Sequence, residues 1–318
     1  MKVLVTGGAG YIGSHVVLAL CEEGNNVVVL DDLSTGNREA VDKRALFIQG
    51  STLNDDDLLK GLNDVDAVIH LAAFKAAGES MMHPEKYSHN NITGTITLLN
   101  AMEKQGVNKF IFSSTAAVYG YPKYLPLDEN HPLEPINYYG FTKLEIERIL
   151  KWYGELKGLR FAALRYFNAA GYDSLGRITS LENNPENLIP IVMEVASGRR
   201  QKMEVFGDNY DTDDGTGVRD YIHVTDLASA HVKCIEYLNE NASLTVNLAT
   251  GESHSVLDVI NLAKEISGKD IHFDIVGRRP GDPAKLYAGT NRAFESLNWE
   301  AKYSDLKTLL ETTWKVYQ

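Results

Sequence analysis

The sequence predicts an α/β fold: a doubly wound parallel sheet with helices on both faces, joined to a smaller, discontinuous α/β domain. Three observations carry this. Strand-like and helix-like segments alternate through the first half of the 318-residue chain. The strands read as continuous apolar runs, as expected when both faces of a parallel sheet are covered. From Asn168 the alternation gives way to a stretch rich in Gly, Asn, Ser and Asp, with no internal repeat. Residues 1–167, together with about 219–250, are expected to form the first domain, and 168–218 with 251–318 the second.

The first strand, Lys2–Thr6, runs into glycines at Gly7, Gly10 and Gly13, and Gly8, Gly10 and Gly13 also satisfy G-x-G-x-x-G. A helix then opens over Tyr11–Glu23, with Ile12, Val16, Ala19 and Leu20 at helical spacing. Such a tight turn needs residues free of Cβ, and its backbone must approach a pyrophosphate resting on the positive end of the helix. The glycine spacing alone is weak; the strand before it and the helix after it separate a dinucleotide fingerprint from some other Gly-rich turn. The second strand, Asn26–Leu30, ends in Asp31-Asp32, and Asp31 lies 18 residues past Gly13. That is near the roughly 20 residues expected for a ribose-binding acid. A carboxylate there accepts from ribose hydroxyls and repels a 2′-phosphate, which favours NAD over NADP.

Further strands are expected at Ala45–Gln49, Ala67–Leu71, Phe110–Ser113 and Leu159–Leu164. Between them lie a short helix at Leu58–Leu62, a helix at Asn90–Gln105 with the stripe Ile92, Ile96, Leu99 and Met102, and a long helix at Tyr138–Leu156. Ligands of such sheets bind at the carboxyl ends of the strands, which puts Gly7, Asp31, Ala72, Thr115 and Phe167 on one edge. Asn168–Asn187 reads as a loop over the site. Leu188–Ala196 is helical, Glu204–Phe206 a short strand, Gly207–Gly217 polar, His223–Leu238 helical and Thr245–Leu248 a strand returning to the main sheet. Ser255 is a candidate N-cap for a helix running to Ile266, and Leu306–Val316 is the last helix.

Composition narrows the function. The net charge of −12 makes nucleic acid and anionic membranes poor partners, although a few local arginines can still hold a nucleotide. No apolar run approaches the roughly 18 residues of a membrane span. Met1-Lys2 leads straight into the first strand without a signal peptide, so a cytoplasmic location is expected. Cys21 and Cys234 sit in helical segments outside any C-x-x-C pair and read as buried reduced thiols. No metal-ligand spacing stands out, so no metal is expected.

Tyr139 and Lys143 stand at i and i+4 in Tyr-Gly-Phe-Thr-Lys and share one helix face. Beside an ammonium and a positive nicotinamide ring, a phenol is expected to ionise more readily than its free value of about 10. Tyr139 then becomes a general base or acid near neutral pH, with Lys143 also donating to the nicotinamide ribose and Thr115 offering a hydroxyl to the reacting oxygen. Alone, the pair also reads as a solvated helix pair. Its place downstream of a dinucleotide fingerprint, with a hydroxyl-bearing strand end between, favours catalysis.

Thr6-Gly7-Gly8-Ala9-Gly10-Tyr11-Ile12-Gly13 with Thr115, Tyr139 and Lys143 resembles the extended short-chain dehydrogenase/reductase family. Leu71-Ala72-Ala73-Phe74-Lys75-Ala76-Ala77-Gly78-Glu79-Ser80, Arg165-Tyr166-Phe167-Asn168 and Asp214-Gly215-Thr216-Gly217-Val218-Arg219-Asp220-Tyr221-Ile222-His223-Val224 narrow the resemblance to its UDP-hexose 4-epimerases, over nearly the whole chain. The resemblance implies the Rossmann fold and tightly bound NAD. Gly7, Gly10, Tyr11, Ile12, Gly13, Asp31, the loop Asp32, Leu33, Ser34, Thr35 and Gly36, then Ser51, Thr52, Phe74, Lys75, Asn90, Thr115, Tyr139, Lys143 and Phe167 would hold the cofactor. Lys75, Thr115, Tyr139, Asn168, Asn187, Leu188, Phe206, Arg219, Arg279 and Asp282 would hold a UDP-sugar. Arg219 and Arg279 can in addition clamp a diphosphate with forked donors; surface salt bridging is the alternative for either one. The family often carries an acid after the third strand, where this chain has Ser51, and Ser where it has Thr115.

The implied reaction removes the C4 hydrogen of UDP-glucose or UDP-galactose as hydride, turns the 4-keto sugar and returns the hydride to the other face. Nucleotide-sugar dehydratases of the family tend to carry Asp-Glu after the catalytic Thr; Ala116-Ala117 here have no proton to give. A non-catalytic NAD-binding protein is the remaining alternative. Leu286 falls where the family sets room for an N-acetyl group, and leucine is expected to admit N-acetylated UDP-sugars at least in part. Relatives pair the two helices Asn90–Gln105 and Tyr138–Leu156 in a four-helix interface, so a homodimer is expected, although the stripes can instead face their own sheet.

Overall fold

The structure, a computed structural model, describes residues 1–182, 185–279 and 281–318. The chain runs β1 (Lys2–Thr6), α1 (Tyr11–Glu22), β2 (Asn26–Asp31), β3 (Leu46–Gln49), α2 (Asp55–Gly61), β4 (Ala67–His70), α3 (Ala77–Met82), α4 (Pro84–Tyr87), α5 (Gly94–Gln105), β5 (Lys109–Thr115), α6 (Tyr138–Lys157) and β6 (Arg160–Tyr166). It continues through β7 (Asn168–Ala170), α7 (Leu188–Ala196), β8 (Met203–Phe206), β9 (Val218–Arg219), β10 (Tyr221–His223), α8 (Val224–Glu240), β11 (Ser243–Leu248), β12 (His254–Ser255), α9 (Val256–Ser267), β13 (Phe273–Val276), β14 (Lys285–Leu286), α10 (Asn291–Leu297) and α11 (Leu306–Tyr317).

A seven-stranded sheet of order β11-β6-β5-β4-β1-β2-β3 forms the centre, and every pairing in it is parallel. Side chains alternate across it. Val3 and Val5 join a layer with Val16 and Leu20 of α1 and Leu227 of α8, whereas Leu4 joins Leu58 of α2, Leu98 of α5 and Ile146 of α6 on the other face. The strand order reverses between β1 and β4, which opens a crevice at their carboxyl ends. Asn137 starts α6 by accepting from the Gly140 amide at 2.8 Å, and Gly158 in the left-handed region ends it.

The structure differs from expectation in several places. The segment read as a loop from Asn168 to Asn187 begins with β7, which pairs in parallel with β10; Asn183 and Asn184 lie outside the described residues. His223 is not helical but ends β10 and caps α8, accepting from the Thr225 amide at 3.0 Å. Strands of two or three residues are too short to show a period, and this also hid β9, β12 and β14. The helix expected from Asn90 is wound as a π-turn over Ser88–Thr93 before α5 begins. The wide turn lets the Asn91 amide bond both the N–H and the C=O of Phe74, each at 3.0 Å, in the loop after β4. π-Turns collect at functional sites for this kind of reason. Ser255 does cap its helix, reciprocally with Asp258.

Five histidines, His15, His70, His131, His223 and His231, are buried. Burial lowers His15, His223 and His231 to about 4 and His70 to about 3. His70 sits neutral between Thr6 Oγ1 at 2.7 Å and Thr95 Oγ1 at 2.9 Å, tying β4 to β1 and α5. Between pH 4 and 6.5 the unfolded chain therefore binds protons that the folded chain refuses, and stability falls as pH falls through this window. Asp220, raised by burial to about 6, opposes this with one proton of the other sign. Urea denaturation at pH 7 and pH 5 should show a loss beyond about 1.4 kcal/mol, the linkage of one proton over one pH unit.

Candidate active site

The crevice is a cleft of ≈ 570 Å³. Its floor is the glycine turn. Gly7 has φ +72°, and a Cβ there would stand 2.5 Å from the Ala72 nitrogen; one at Gly13 would stand 2.1 Å from the Gly7 oxygen. The two positions therefore tolerate no side chain. No side chain caps α1 at Gly10 and no acid stands in its first turn, so its first amides point at the cleft as an anion site. Asp31 holds the adjoining loop: its carboxylate accepts from Ala9 N–H and Leu33 N–H, both at 2.9 Å. Leu33 takes a positive φ of 62° to make this turn. A backbone shaped around an absent Cβ, a helix N-terminus and a buried acid at the second strand end fit a dinucleotide with a free ribose diol.

Of the residues expected to hold the cofactor, Gly7, Gly10, Tyr11, Ile12, Gly13, Asp31, Asp32, Ser34, Thr35, Ser51, Thr52, Phe74, Lys75, Asn90, Tyr139 and Lys143 line this cleft. Asn187, expected on the sugar, lines it too. Leu33 and Gly36 lie in the same loop without lining it. The Phe167 side chain packs among Ala116, Val118, Leu144 and Ala249 behind the cleft. Thr115 ends β5 and takes the Ala117 amide at 3.2 Å, starting the turn that carries Ala116 and Ala117.

Tyr139 and Lys143 share the inner face of α6. Lys143 is buried and donates to the Ser113 carbonyl at 2.8 Å, with its Nζ 4.8 Å from the Phe112 ring centre and 5.8 Å from that of Tyr139. Burial lowers Lys143 to about 7. The same cause raises Tyr139 to about 12, and the Thr115 hydroxyl only partly opposes it. The expected lowering of the phenol by Lys143 is thus overturned for the protein alone. Lys143 is itself desolvated and faces the tyrosine ring, so burial outweighs its charge.

The remaining sugar-site candidates lie on or beside a second lobe, the part of the fold whose hydrophobic core comes from α7, β8, α9 and α11. Arg219 in β9 is mostly buried and paired with Asp282, and it also donates to its own strand at Val218 O, 2.8 Å away. Arg279 lies over the Phe206 ring, 3.8 Å from its centre. Asn168 uses its amide nitrogen on the Asp220 carbonyl at 2.8 Å, and Leu188 opens α7 against the second-lobe core. None of these lines the ≈ 570 Å³ cleft; they form a neighbouring cluster with two guanidinium groups. Among the described residues no group of His, Cys, Asp or Glu is arranged around a metal, and no helix is long and apolar enough to cross a membrane.

Residues 3–249 match the NAD dependent epimerase/dehydratase family. The chain belongs to this family. It is 46% identical to the UDP-glucose 4-epimerase of Halalkalibacterium halodurans, over 99% of this chain and 95% of that one. The crystal structure of UDP-glucose 4-epimerase from Brucella ovis in complex with NAD superposes with a TM-score of 0.96 at 43% identity, covering 99% of this chain and 98% of that chain. The UDP-Glc/GlcNAc 4-epimerase of Campylobacter jejuni gives 0.87 at 37% identity, with 99% and 98% covered.

The cleft residues that the sequence does not announce include two groups, beside the reacting centre and on the second lobe, and Asn37 in the loop after β2. Tyr166 and Ser113 line the cleft beside Tyr139, hydroxyl to hydroxyl; their position at the ends of β6 and β5 was the available signal. Ser180, Leu181 and Glu182 line it from the second lobe, inside a segment without any period to place them.

Proposed function

We propose that this chain interconverts UDP-glucose and UDP-galactose by epimerisation at C4 through a 4-keto intermediate, with NAD as a resident cofactor. The observation that carries the proposal is the Tyr139–Lys143 pair opening into the glycine-floored cleft beside Thr115. Tyr139 takes the proton of the sugar 4-hydroxyl and later returns it. Thr115 donates to the same oxygen and steadies charge as it develops. Lys143, half-charged near neutral pH, anchors to Ser113 and faces the ring of Tyr139. NAD held in the cleft would supply a reversible hydride acceptor for the sugar C4, and its positive ring would bring the Tyr139 phenol into the working range.

Gly7, Gly10, Tyr11, Ile12, Gly13, Asp31 to Gly36, Ser51, Thr52, Phe74, Lys75, Asn90 and Phe167 serve the cofactor. Asn168, Asn187, Leu188, Phe206, Arg219, Arg279 and Asp282 serve the UDP-sugar, with Asp282 orienting Arg219. Binding energy from the remote nucleotide holds the substrate while the keto sugar turns. Residues 1–167 and 219–250 form the cofactor domain in this reading, and 168–218 with 251–318 the sugar domain. Ala116-Ala117 offer no acid or base for dehydration. Purified protein incubated with UDP-galactose and no added NAD should form UDP-glucose; an absolute requirement for added NAD with a net oxidised sugar product contradicts the proposal.

N-acetylated UDP-sugars are a second substrate class. Leu286 in β14 is half-buried and packs on the cluster of Ala116, Val118 and Phe167 behind Thr115, and the Campylobacter jejuni relative is a UDP-Glc/GlcNAc 4-epimerase. Leu286→Tyr should lower kcat/KM for UDP-GlcNAc relative to UDP-galactose by about tenfold or more, as added bulk in a sugar pocket does. An unchanged ratio removes Leu286 from specificity.

We place the protein in the cytoplasm as a homodimer acting in galactose metabolism. Cys21 and Cys234 are both free and buried, which suits a reducing compartment. Leu99, Met102, Ile146 and Leu150 face the protein's own core, but Trp152 and Leu156 on α6 are 61% and 70% exposed. Such a patch calls for a partner, here a second copy. Trp152→Glu should shift the dimer to monomer on size-exclusion chromatography.

A further inference from the structure

The cofactor cleft is crossed by a strap from the other lobe. Ser180 Oγ accepts from Asn37 Nδ2 at 2.5 Å, and the Glu182 carboxylate pairs with Lys75 Nζ. Leu181, between them, turns the opposite way onto the second-lobe core beside Tyr11 and Tyr172, as alternating side chains of an extended segment do. The fixed end of the strap is therefore firmly held. Tyr172 packs 5.2 Å from the Tyr11 ring, and the Tyr11 hydroxyl donates to the Gly171 carbonyl at 2.5 Å.

Sheet order shows what the strap passes over. Asn37 follows β2 and Lys75 follows β4, and β1 lies between these two strands. Neighbouring strands are about 4.8 Å apart, so the two anchoring loops are rooted roughly 10 Å apart. The step from Ser180 to Glu182 reaches roughly 7 Å when extended, and the side chains of Asn37 and Lys75 cover the remainder. The chain from Ser180 to Glu182 thus bridges the loops after β2 and β4, on either side of the strand that leads into the turn from Gly7 to Gly13. A pyrophosphate held by that turn would share the cleft with the strap.

We propose that Ser180 and Glu182 are cofactor-retaining residues: their cross-cleft bonds to Asn37 and Lys75 close the strap over the dinucleotide and make NAD resident between turnovers. The inference rests on the NAD-dependent reading above. It accounts for a feature that reading requires, since a reaction with no net redox change must keep its reduced cofactor in place until the hydride returns. The strap is local and exposed enough to open. The Lys75 side chain is 60% exposed and the Glu182 side chain 16% exposed, so their pair is a weak, salt-sensitive latch rather than a permanent seal.

Release is read by diluting NAD-loaded protein into an excess of the fluorescent etheno analogue of NAD and following exchange. Single variants Glu182→Gln and Ser180→Ala are each expected to exchange about threefold to fivefold faster than wild type, and the double variant about tenfold faster, in keeping with weak exposed contacts. Added salt should speed exchange in wild type and have little further effect in Glu182→Gln. Circular dichroism and melting temperature close to wild type exclude unfolding as the cause. Exchange from the folded double variant within about twofold of wild type, or slower because a carboxylate near the pyrophosphate has gone, overturns the strap. Wild-type protein that neither carries nicotinamide nor takes it up on addition overturns the functional reading itself, a separate and distinguishable failure.

Discussion

Replacing Tyr139 with phenylalanine is expected to lower kcat by about a thousandfold, within the range that a positioned acid–base group contributes, while NAD content and melting temperature stay near wild type. The phenol oxygen is the only part removed; Thr115, whose hydroxyl acts on it, keeps its bond from the Ala117 amide at 3.2 Å, and the backbone N–H of Tyr139 still meets Ser80 Oγ at 3.0 Å. Burial alone holds the phenol at about 12, too weak an acid to give up its proton near pH 7. The working base therefore needs the positive ring of the bound cofactor. A pH–rate profile with apo protein reconstituted with NAD should place the basic limb well below 12. A variant retaining more than about a tenth of wild-type turnover would show that another group carries the proton.

The largest effect on stability is expected at Arg165. Its guanidinium donates to Glu147 Oε1 at 2.9 Å and Oε2 at 2.6 Å, and to the Tyr119 hydroxyl at 3.1 Å. Ser114 Oγ completes the set on Glu147 at 2.5 Å. Both charged side chains are nearly sealed, at 3% and 2% exposure. Arg165→Met leaves a carboxylate buried without its partner, which costs about 3–5 kcal/mol. For a chain of this size that is on the order of 10 °C in Tm. Arg165→Met combined with Glu147→Met should recover most of the loss, because two apolar groups then fill the space. The network also matters to the site: Glu147 stands one turn beyond Lys143 on α6, and Ser114 precedes Thr115 on β5. Equal destabilisation in the single and double variants would mean that packing, not charge, dominates there.

Much of this site was legible in the sequence because its parts obey strong local rules. Gly7 and Gly13 are glycine because a Cβ there meets backbone, and Asp31 stands at a strand end where its carboxylate holds the Ala9 and Leu33 amides. Tyr139 and Lys143 share a face because helices repeat every 3.6 residues or so. The central strands were readable as apolar runs buried on both faces. What escaped lacks such rules. β7, β9, β12 and β14 are too short to display a period. The π-turn at Ser88–Thr93 looks like an ordinary helix start until the Asn91 contact with Phe74 is seen. Ser180 and Glu182 gain their meaning from Asn37 and Lys75, more than a hundred residues away, and no local pattern encodes that. Spacing reveals the charge beside the phenol but not the desolvation of both partners, which raises the phenol in the protein without its cofactor.

The most direct test of the account follows the hydrogen itself. Wild-type protein is given UDP-galactose deuterated at C4, in ordinary water and without added NAD. Hydride removal and return within one closed site predicts UDP-glucose that retains the deuterium at C4, with none in solvent. Label lost to water, or recovered only on nicotinamide that has left the protein, would contradict it.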